Sequence, residues 1–381
     1  MKSHRILVQV NTSFDFYILT ALVRDKRNTA SCDLLIPLCL LNRIPKYYLD
    51  TYNEIESFEP KLKNLLSFRS IVSTLRISLW ARKRRNNYTL VLLGSYRDVV
   101  TSLLAKWFHN RARLITIKQG VDRASINYFR VHSLRYLHDC VYYSLFGHSA
   151  FYFERLNQED ESGSYYFDRP VWKSDPFDAS KDVFTIGKGA KSDQSQFVYP
   201  NLSLFSNGKQ DTRSGVLVIG ERTPMTPSWN GSQDKILNQA FSIIMQEFIG
   251  QPIFLRARKN LTNIGFYESL NPVFLDPEQP YDDQLLQLNP RIVVSVKSTA
   301  VKISSFYGFD SYLLYPSLNF RKNEVEHLKY LFEGGSAINY VTDLEEFRKL
   351  ISDTGHPPPP VEKYTSAMNQ SFYDRLNESR A

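Results

Sequence analysis

A chain of 381 residues exceeds what one hydrophobic core usually organises, so two domains are expected. Hydrophobic residues make up 43% and charged residues 23%, a globular composition that excludes a wholly disordered chain. The formal net charge of +8 favours an anionic partner. Nucleic acid, an anionic membrane surface and a phosphorylated substrate are the three alternatives. Three cysteines without a CxxC pair fit a reducing compartment. No apolar stretch has the length of a transmembrane helix or a signal-peptide core, so we expect a cytoplasmic protein.

Apolar runs and helical spacings alternate along the first half of the chain. This order predicts a parallel sheet with right-handed crossovers. The predicted strands are Ile6–Val10, Leu34–Leu38, Thr89–Leu93 and Leu114–Ile117. One predicted helix begins at Ser13, which acts as its N-cap. The other predicted helices of this half are Leu62–Phe68, Ile71–Trp80 and Asp98–Phe108.

The segment from Asn157 to Ser214 has weak periodicity and predicts extended connections around a domain boundary. The alternation then resumes, which gives an N-terminal domain over 1–205 and a C-terminal domain over 206–381 with a polar tail. The second set of predicted strands is Val216–Ile219, Ile253–Arg256, Ile292–Val296 and Tyr312–Tyr315. The second set of predicted helices is Gln233–Phe248, Tyr281–Leu288, Ser298–Tyr307 and Thr342–Ser352.

Polar residues follow predicted strands of the second half, where a parallel sheet binds ligands beyond the carboxyl ends of its strands. Lys297, Ser298 and Thr299 lie between a strand and a helix. Backbone N–H groups, hydroxyls and the helix dipole make such a turn an anion site, and Lys302 adds positive charge. A plain N-cap role for Ser298 or Thr299 is the alternative, and the two roles are compatible.

Two further strand ends supply candidates for binding a nucleotide-linked donor. Arg256 and Arg258 would neutralise a diphosphate or a carboxylate, which arginine binds through two parallel hydrogen bonds. The alternative for them is a solvated basic loop. Gly220 would permit close backbone approach to a ligand, and Glu221 would accept a hydrogen bond from a ribose hydroxyl. A simple turn is the alternative at Gly220.

An acceptor side is predicted where the strand Leu114–Ile117 ends in Lys118, Gln119 and Gly120. A transferase that activates an acceptor hydroxyl needs a general base, and Asp122 is the nearest carboxylate. Asp15, after the first strand, is the other candidate catalytic residue. For each aspartate a capping or turn role is the competing interpretation.

The sequence lacks the motifs of several enzyme classes. The seven histidines form no HExxH, HxH or Cys/His cluster, so no metal site is predicted. No GxxxxGK[ST], GxGxxG or GxSxG occurs, which argues against P-loop kinases, standard dinucleotide oxidoreductases and α/β-hydrolases. The segment Arg69–Arg85 is either a basic amphipathic helix lying on an anionic membrane or a packed helix with a charged exit.

The order of these parts, from about Thr89 to Pro316, resembles bacterial surface-polysaccharide glycosyltransferases of the GT-B fold. It is most similar to the lipooligosaccharide sialyltransferase and polysialyltransferase families. Ser298-Thr299 matches their hydroxyl pair that binds the donor phosphate. Lys118-Gln119-Gly120 stands where they have an acidic-acidic-Gly motif, and Arg258-Lys259 stands where they have His-Pro. The layout is also similar to that of glycerol-phosphate polymer transferases, whose Gln-His-Gly place corresponds to Gln119-Gly120.

The resemblance implies an α/β protein with two Rossmann-like domains facing across a cleft. It implies metal-independent transfer of a sugar, sialic-acid-like and CMP-linked, from a nucleotide donor to a glycan or glycolipid acceptor. The donor is a substrate, so no cofactor is expected. Peripheral contact with an anionic membrane is compatible with this function, whereas no nucleic-acid motif is recognisable and no nucleic-acid partner is expected. The alternatives are a non-catalytic polyanion-binding protein, a phosphopolymer transferase and a nucleotide-sugar epimerase.

Overall fold

A computed structural model describes the chain in seventeen stretches, which are residues 5–25, 28, 30–59, 68–94, 99–108, 110–118, 152–155, 170–173, 182–186, 196–198, 200, 202–205, 213–220, 231–257, 265–320, 338–352 and 370–377. The chain divides into two compact units. The first contains Met1–Ile186, Lys191–Pro200 and Ala367–Ala381, and the second contains Gly187–Ala190 and Asn201–Ser366.

The first unit is built on a seven-stranded parallel sheet. Its strand order is β3-β2-β1-β4-β5-β8-β9, so the chain winds outward from β1 in one direction and then, from β4, in the other. This is the doubly wound arrangement of dinucleotide-binding folds with one strand added. The strands are β1 Arg5–Gln9, β2 Ser31–Pro37, β3 Ile55–Phe58, β4 Leu90–Leu93, β5 Arg113–Lys118, β8 Asp182–Ile186 and β9 Gln196–Val198. A separate antiparallel pair is formed by β6 Tyr152–Arg155 and β7 Pro170–Lys173.

Helices of the first unit pack on this sheet with different degrees of burial. The helix Ser13–Val23 is buried at every residue, which fits its nearly uninterrupted apolar sequence. The amphipathic helix Val99–Phe108 buries Leu103, Leu104 and Phe108 in the core. The remaining helices are Leu38–Leu41, Lys46–Leu49 and Phe68–Arg84, together with Gln370–Asn377 near the C-terminus.

The second unit repeats the same winding on a six-stranded parallel sheet. Its order is β12-β11-β10-β13-β14-β15, the 3-2-1-4-5-6 order of a Rossmann sheet. The strands are β10 Val216–Gly220, β11 Ile253–Ala257, β12 Val273–Phe274, β13 Ile292–Ser295, β14 Asp310–Leu313 and β15 Ile338–Tyr340. The helices are Gly231–Glu247, Gly265–Glu268, Tyr281–Leu288, Thr299–Phe306 and Leu344–Ser352, with 3-10 turns at Leu202–Phe205 and Tyr315–Ser317. Two parallel α/β sheets therefore confirm the expected fold class.

Two expectations about the chain's organisation need correction. The segment expected to be extended connections contributes β8 and β9, which complete the first sheet. The expected polar tail contains the helix Gln370–Asn377, and its Phe372 ring lies 5.1 Å from that of Phe184 in β8. Apolar packing therefore places the C-terminal helix in the first unit, and the main boundary falls between Pro200 and Asn201.

Three smaller points concern individual elements. Thr12, one residue before the expected Ser13, is the N-cap of the first helix. The expected helix Leu62–Phe68 lies outside the described residues except for its last position. Within the described part of the chain, no helix combines the length and apolar character needed to cross a membrane.

Candidate functional site

The winding reverses at one place in each sheet. In the first sheet β1 is hydrogen-bonded to both β2 and β4, and in the second β10 is hydrogen-bonded to both β11 and β13. The crossovers on either side of such a pair leave in opposite directions and open a crevice beyond the carboxyl ends of the two strands. Both crevices are the natural ligand positions of these folds, and each is described by its own residues below.

At the crevice of the second sheet, β13 leads into a helix through a serine-rich turn. The backbone N–H of Ser298 donates to Ser295 Oγ at 3.1 Å, and the Ala300 N–H donates to Ser298 Oγ at 3.3 Å. Ser298 has an extended backbone and is the N-cap of the helix Thr299–Phe306. The sequence prediction of a capped helix start is thus confirmed. A helix N-terminus with neighbouring hydroxyls is suited to an anion, because its N–H groups and dipole both favour negative charge.

Some of the other residues predicted to bind the nucleotide-linked donor lie near this turn. Lys297 is half-buried and directly precedes Ser298, while Thr299 is the first residue of the helix. Gly220 is the buried last residue of β10, and the register pairs its neighbour Ile219 with Ser295 of β13. The structure therefore brings Gly220 and the Ser298 turn to the same crevice. Glu221 and Arg258 lie outside the described residues.

Arg256 makes intramolecular contacts that the sequence did not predict. Its guanidinium donates to the Gln279 carbonyl oxygen at 2.8 Å and to Gln284 Oε1, and it lies 5.7 Å from the centre of the Tyr281 ring. Burial lowers the pKa of Arg256. These contacts tie β11 to the loop and helix that follow β12. They use part of the five N–H groups of the guanidinium, so they add a structural role, and the expected binding of the nucleotide-linked donor by Arg256 stays a prediction.

In the first unit, Asp15 caps the helix that follows β1. Its Oδ2 accepts hydrogen bonds from the backbone N–H of Asn11 at 3.2 Å and of Thr12 at 3.0 Å. The Asp15 N–H donates in return to Thr12 Oγ1 at 3.1 Å, which completes a capping box. Asp15 is only 2% exposed. The geometry thus supports the capping interpretation, and a base role for Asp15 stays a prediction.

Gly94 at the end of β4 allows this cap to form. A Cβ at position 94 would lie 2.8 Å from Asp15 Cβ and 3.1 Å from the Gln9 carbonyl oxygen. The first contact is shorter than packed Cβ atoms show and the second is tight, and the Gly94 N–H already donates to that same oxygen at 3.0 Å. Position 94 therefore requires glycine, because the start of the helix Ser13–Val23 passes close to the end of β4.

A polar ring at the same crevice was not anticipated from the sequence. Gln9 Nε2 donates to Asn11 Oδ1 at 2.7 Å, Asn11 Nδ2 to Thr101 Oγ1 at 3.4 Å, and Thr101 Oγ1 to Gln9 Oε1 at 3.1 Å. Gln9 and Thr101 are both buried, whereas Asn11 is half-buried. The available signal was Gln9, a polar residue at the end of an otherwise apolar strand. The ring's hydrogen bonds are made among its own members, and they tie the end of β1 to the helix that follows β4.

The predicted acceptor residues are placed only in part. Lys118 is the last residue of β5 and pairs with Thr185 of β8. Gln119, Gly120 and Asp122 lie outside the described residues. A catalytic role for Asp122 and acceptor roles for the other three residues therefore stay predictions.

No family model matches the sequence, and no curated protein matches it. Among solved structures, the UDP-GlcNAc 2-epimerase from Methanocaldococcus jannaschii has 9% identity and a TM-score of 0.46, covering 98% of this chain and 99% of that one. The E. coli heptosyltransferase WaaC with ADP has 12% identity and a TM-score of 0.43, covering 92% and 100%. Acinetobacter baumannii MurG has 9% identity and a TM-score of 0.39, covering 98% and 99%. At these scores the similarities carry no argument about substrate or reaction. Any such argument rests on the residues of this chain.

Proposed function

We propose that this protein is a glycosyltransferase of GT-B type that binds a nucleotide-sugar donor at the crevice between β10 and β13. The observation that carries the proposal is the capped helix N-terminus at Ser298, located where a sheet of Rossmann order reverses its winding. Phosphates bind at such helix starts because several N–H groups and the helix dipole converge on them. A donor joined to its sugar through phosphate matches this site.

Glycosyl transfer demands stabilisation of the leaving group. The acceptor hydroxyl attacks the anomeric carbon, the bond from that carbon to the phosphate oxygen breaks, and the electron pair leaves with the nucleotide. Negative charge therefore grows on the phosphate in the transition state, where fixed N–H groups and hydroxyls stabilise it without reorganising. Ser298, Thr299 and Lys297 are the residues proposed for this role. Metal independence of the reaction stays a prediction.

The acceptor is assigned to the first unit. Asn11, the half-buried member of the polar ring beyond the carboxyl end of β1, is the residue proposed to bind a sugar hydroxyl. Deprotonation of the attacking hydroxyl needs a base, for which Asp122 remains the candidate, since the Asp15 carboxylate is engaged in capping.

A membrane-associated acceptor is proposed from the surface of the helix Phe68–Arg84. Val72, Leu75 and Leu79 are 46%, 46% and 57% exposed and lie on one face at helical spacing. Arg82 and Lys83 are exposed at the end of the same helix. An apolar stripe ending in cations is suited to the boundary between acyl chains and anionic headgroups. A cavity of about 450 Å³ lies between β3 and this helix, with apolar lining from Phe58, Ile77 and Trp80 and charged lining from Glu56, Glu59 and Arg76. We propose that it receives part of an amphipathic acceptor.

Sedimentation with vesicles tests the membrane contact. The chain should pellet with vesicles that contain phosphatidylserine and remain in solution with purely zwitterionic vesicles. Leu75→Ser together with Leu79→Ser should reduce pelleting, because both side chains leave the apolar stripe. Leu350→Ser, at an exposed leucine of the helix Leu344–Ser352, is the matched control. Equal pelleting of the double variant and the control would remove the membrane proposal.

A thermal-shift screen against CMP, CDP, UDP, GDP and their sugar conjugates tests the donor proposal. A ligand that binds only the folded state stabilises it by about 2.7 kcal/mol at one hundred times its Kd. A shift with one nucleotide supports donor binding and names its class, and CMP selectivity would favour a sialic-acid-like sugar. Stabilisation by polyanions in a steeply salt-dependent manner, with no nucleotide shift, would favour the polyanion-binding alternative.

Substitutions then connect the donor to the site. Ser298→Ala combined with Thr299→Ala should weaken binding of the selected nucleotide, because both hydroxyls of the helix start are removed. Ser242→Ala, at an exposed serine of the helix Gly231–Glu247, should leave affinity unchanged. Unchanged affinity in the double variant would remove this assignment. Analysis of the products separates transfer to an acceptor from epimerisation of the donor sugar and from polymerisation of glycerol phosphate.

A further inference from the structure

Lys302, in the helix Thr299–Phe306, is a buried amine for which the described part of the chain supplies no counter-charge. Its side chain is 4% exposed, and Nζ has no hydrogen-bond partner among the residues that the structure describes. Desolvation lowers the pKa of Lys302 to about 8. Lysines are almost never fully buried unless they are paired, because an uncompensated ammonium loses its hydration.

The geometry of a parallel α/β sheet determines where this amine points. A helix that follows a parallel strand runs antiparallel to it, so the start of the helix lies at the carboxyl edge of the sheet. Side chains in a helix tilt toward its N-terminus, and the lysine side chain is long enough to span about one turn. Lys302 is three residues beyond the first helical residue, on the buried face with Val301 and Ser305. From this geometry we expect its ammonium to lie toward the helix start that Ser298 caps.

The described elements packed against this helix carry titratable groups, but none of these groups is hydrogen-bonded to Lys302 Nζ. The helix packs on β13, β14 and β15. The Tyr281 hydroxyl hydrogen-bonds Ser304, and the Tyr307 hydroxyl donates to Asp282 Oδ1 at 2.9 Å. The titratable residues on these elements are Tyr281, Asp282, Asp283, Tyr307, Asp310, Tyr312 and Tyr340. Desolvation, rather than a charge on any of them, lowers the pKa of Lys302.

We infer that Lys302 supplies the counter-charge for an anionic group, a phosphate of the bound ligand, held at the helix start capped by Ser298. The buried ammonium and the backbone N–H groups of the first helical turn then stabilise the same anion. This inference rests on the donor-binding function proposed above and adds its principal cation. It also makes anion affinity dependent on pH, because the neutral amine offers no charge.

Isothermal titration with inorganic pyrophosphate, at constant ionic strength and about pH 7, tests the inference on the full chain. Wild type should bind, and Lys302→Met should bind about 10- to 100-fold more weakly, because a charged hydrogen-bond donor is lost. Lys349→Met removes an exposed lysine of the helix Leu344–Ser352 and should bind as wild type does. Equal affinity of Lys302→Met and wild type, or no binding by wild type, would overturn the inference.

A second titration uses sulfate, whose charge is constant from about pH 7 to about pH 10. Wild-type affinity should fall across this range as Lys302 loses its proton, whereas Lys302→Arg, which stays protonated, should give a flat profile. A wild-type profile that is equally flat would overturn the inference even if the methionine variant failed to fold. If nucleotide sugars fail to bind while sulfate and pyrophosphate bind through Lys302, the anion site stands and the transferase proposal fails.

Discussion

Replacing Lys302 by methionine should stabilise the ligand-free protein. The amine is 4% exposed, and burial lowers its pKa from 10.5 to about 8. One pKa unit corresponds to about 1.4 kcal/mol, so the interval between these two values amounts to about 3 kcal/mol, as an upper estimate. The folded state bears this cost whenever Lys302 is protonated. Methionine has a similar length and no charge, so it removes the cost while filling most of the same volume.

The expected gain depends on pH in a definite direction. Below about pH 8 the lysine is protonated in both the folded and the unfolded state, and the full cost is present. Between about pH 8 and about pH 10.5 the folded state releases its proton first, so the unfolded state binds more protons and wild-type stability rises with pH. The advantage of Lys302→Met should therefore shrink from about 3 kcal/mol near pH 7 toward zero above about pH 10.5.

Urea unfolding followed by circular dichroism, in buffers free of phosphate and sulfate, measures this difference at several pH values. Hydrogen exchange of the peptide that contains the helix Thr299–Phe306 reports the second unit alone. The control Lys349→Met replaces an exposed lysine and should change the free energy of unfolding by less than about 0.5 kcal/mol. If Lys302→Met is no more stable than wild type near pH 7, the amine has a partner in the ligand-free protein and the reasoning fails.

Three further substitutions test the crevice of the first sheet and the role of Arg256. Gly94→Ala forces a Cβ to within 2.8 Å of Asp15 Cβ and should lower the free energy of unfolding by about 1–3 kcal/mol, whereas Gly231→Ala, where a Cβ meets nothing within 4 Å, should not. Asp15→Asn keeps a capping oxygen, so kcat/KM should change only slightly; a loss of about 10²- to 10⁴-fold would instead assign Asp15 as the base. Arg256→Met should cost about 1.5–3 kcal/mol and speed hydrogen exchange of the helix Tyr281–Leu288; unchanged exchange there contradicts a structural role.

Periodicity in the sequence was sufficient to predict most strands and helices near both crevices. The helix Tyr281–Leu288 has the predicted bounds, and β13 and its following helix differ by one residue at their ends. The reason is that these strands are buried on both faces and read as continuous apolar runs bounded by turns. The strand expected at Tyr312–Tyr315 begins instead at Asp310, because register with β13 pairs Asp310 with Ile292.

Tertiary contacts decided what the sequence alone did not predict. β9 has three residues, too few for a periodic pattern, and it forms by pairing with β8. The C-terminal helix Gln370–Asn377 is placed by the contact of Phe372 with Phe184, which are far apart in the sequence. The ring of Gln9, Asn11 and Thr101 likewise joins residues about ninety positions apart. Short strands and long-range polar contacts leave no local signature.

Arg256 and Lys302 of the second unit show why position along a strand does not by itself establish a binding role. Arg256 stands at a strand end, which favoured it as a residue that binds the donor, and its guanidinium already donates to oxygens of Gln279 and Gln284. Lys302 lies within a helix, yet its ammonium has no hydrogen-bond partner in the described part of the chain. A cation that already donates to neutral oxygens gains less from an incoming anion than a buried cation that has no hydrogen-bond partner. Lys302 is therefore favoured over Arg256 as the cation of the proposed phosphate site.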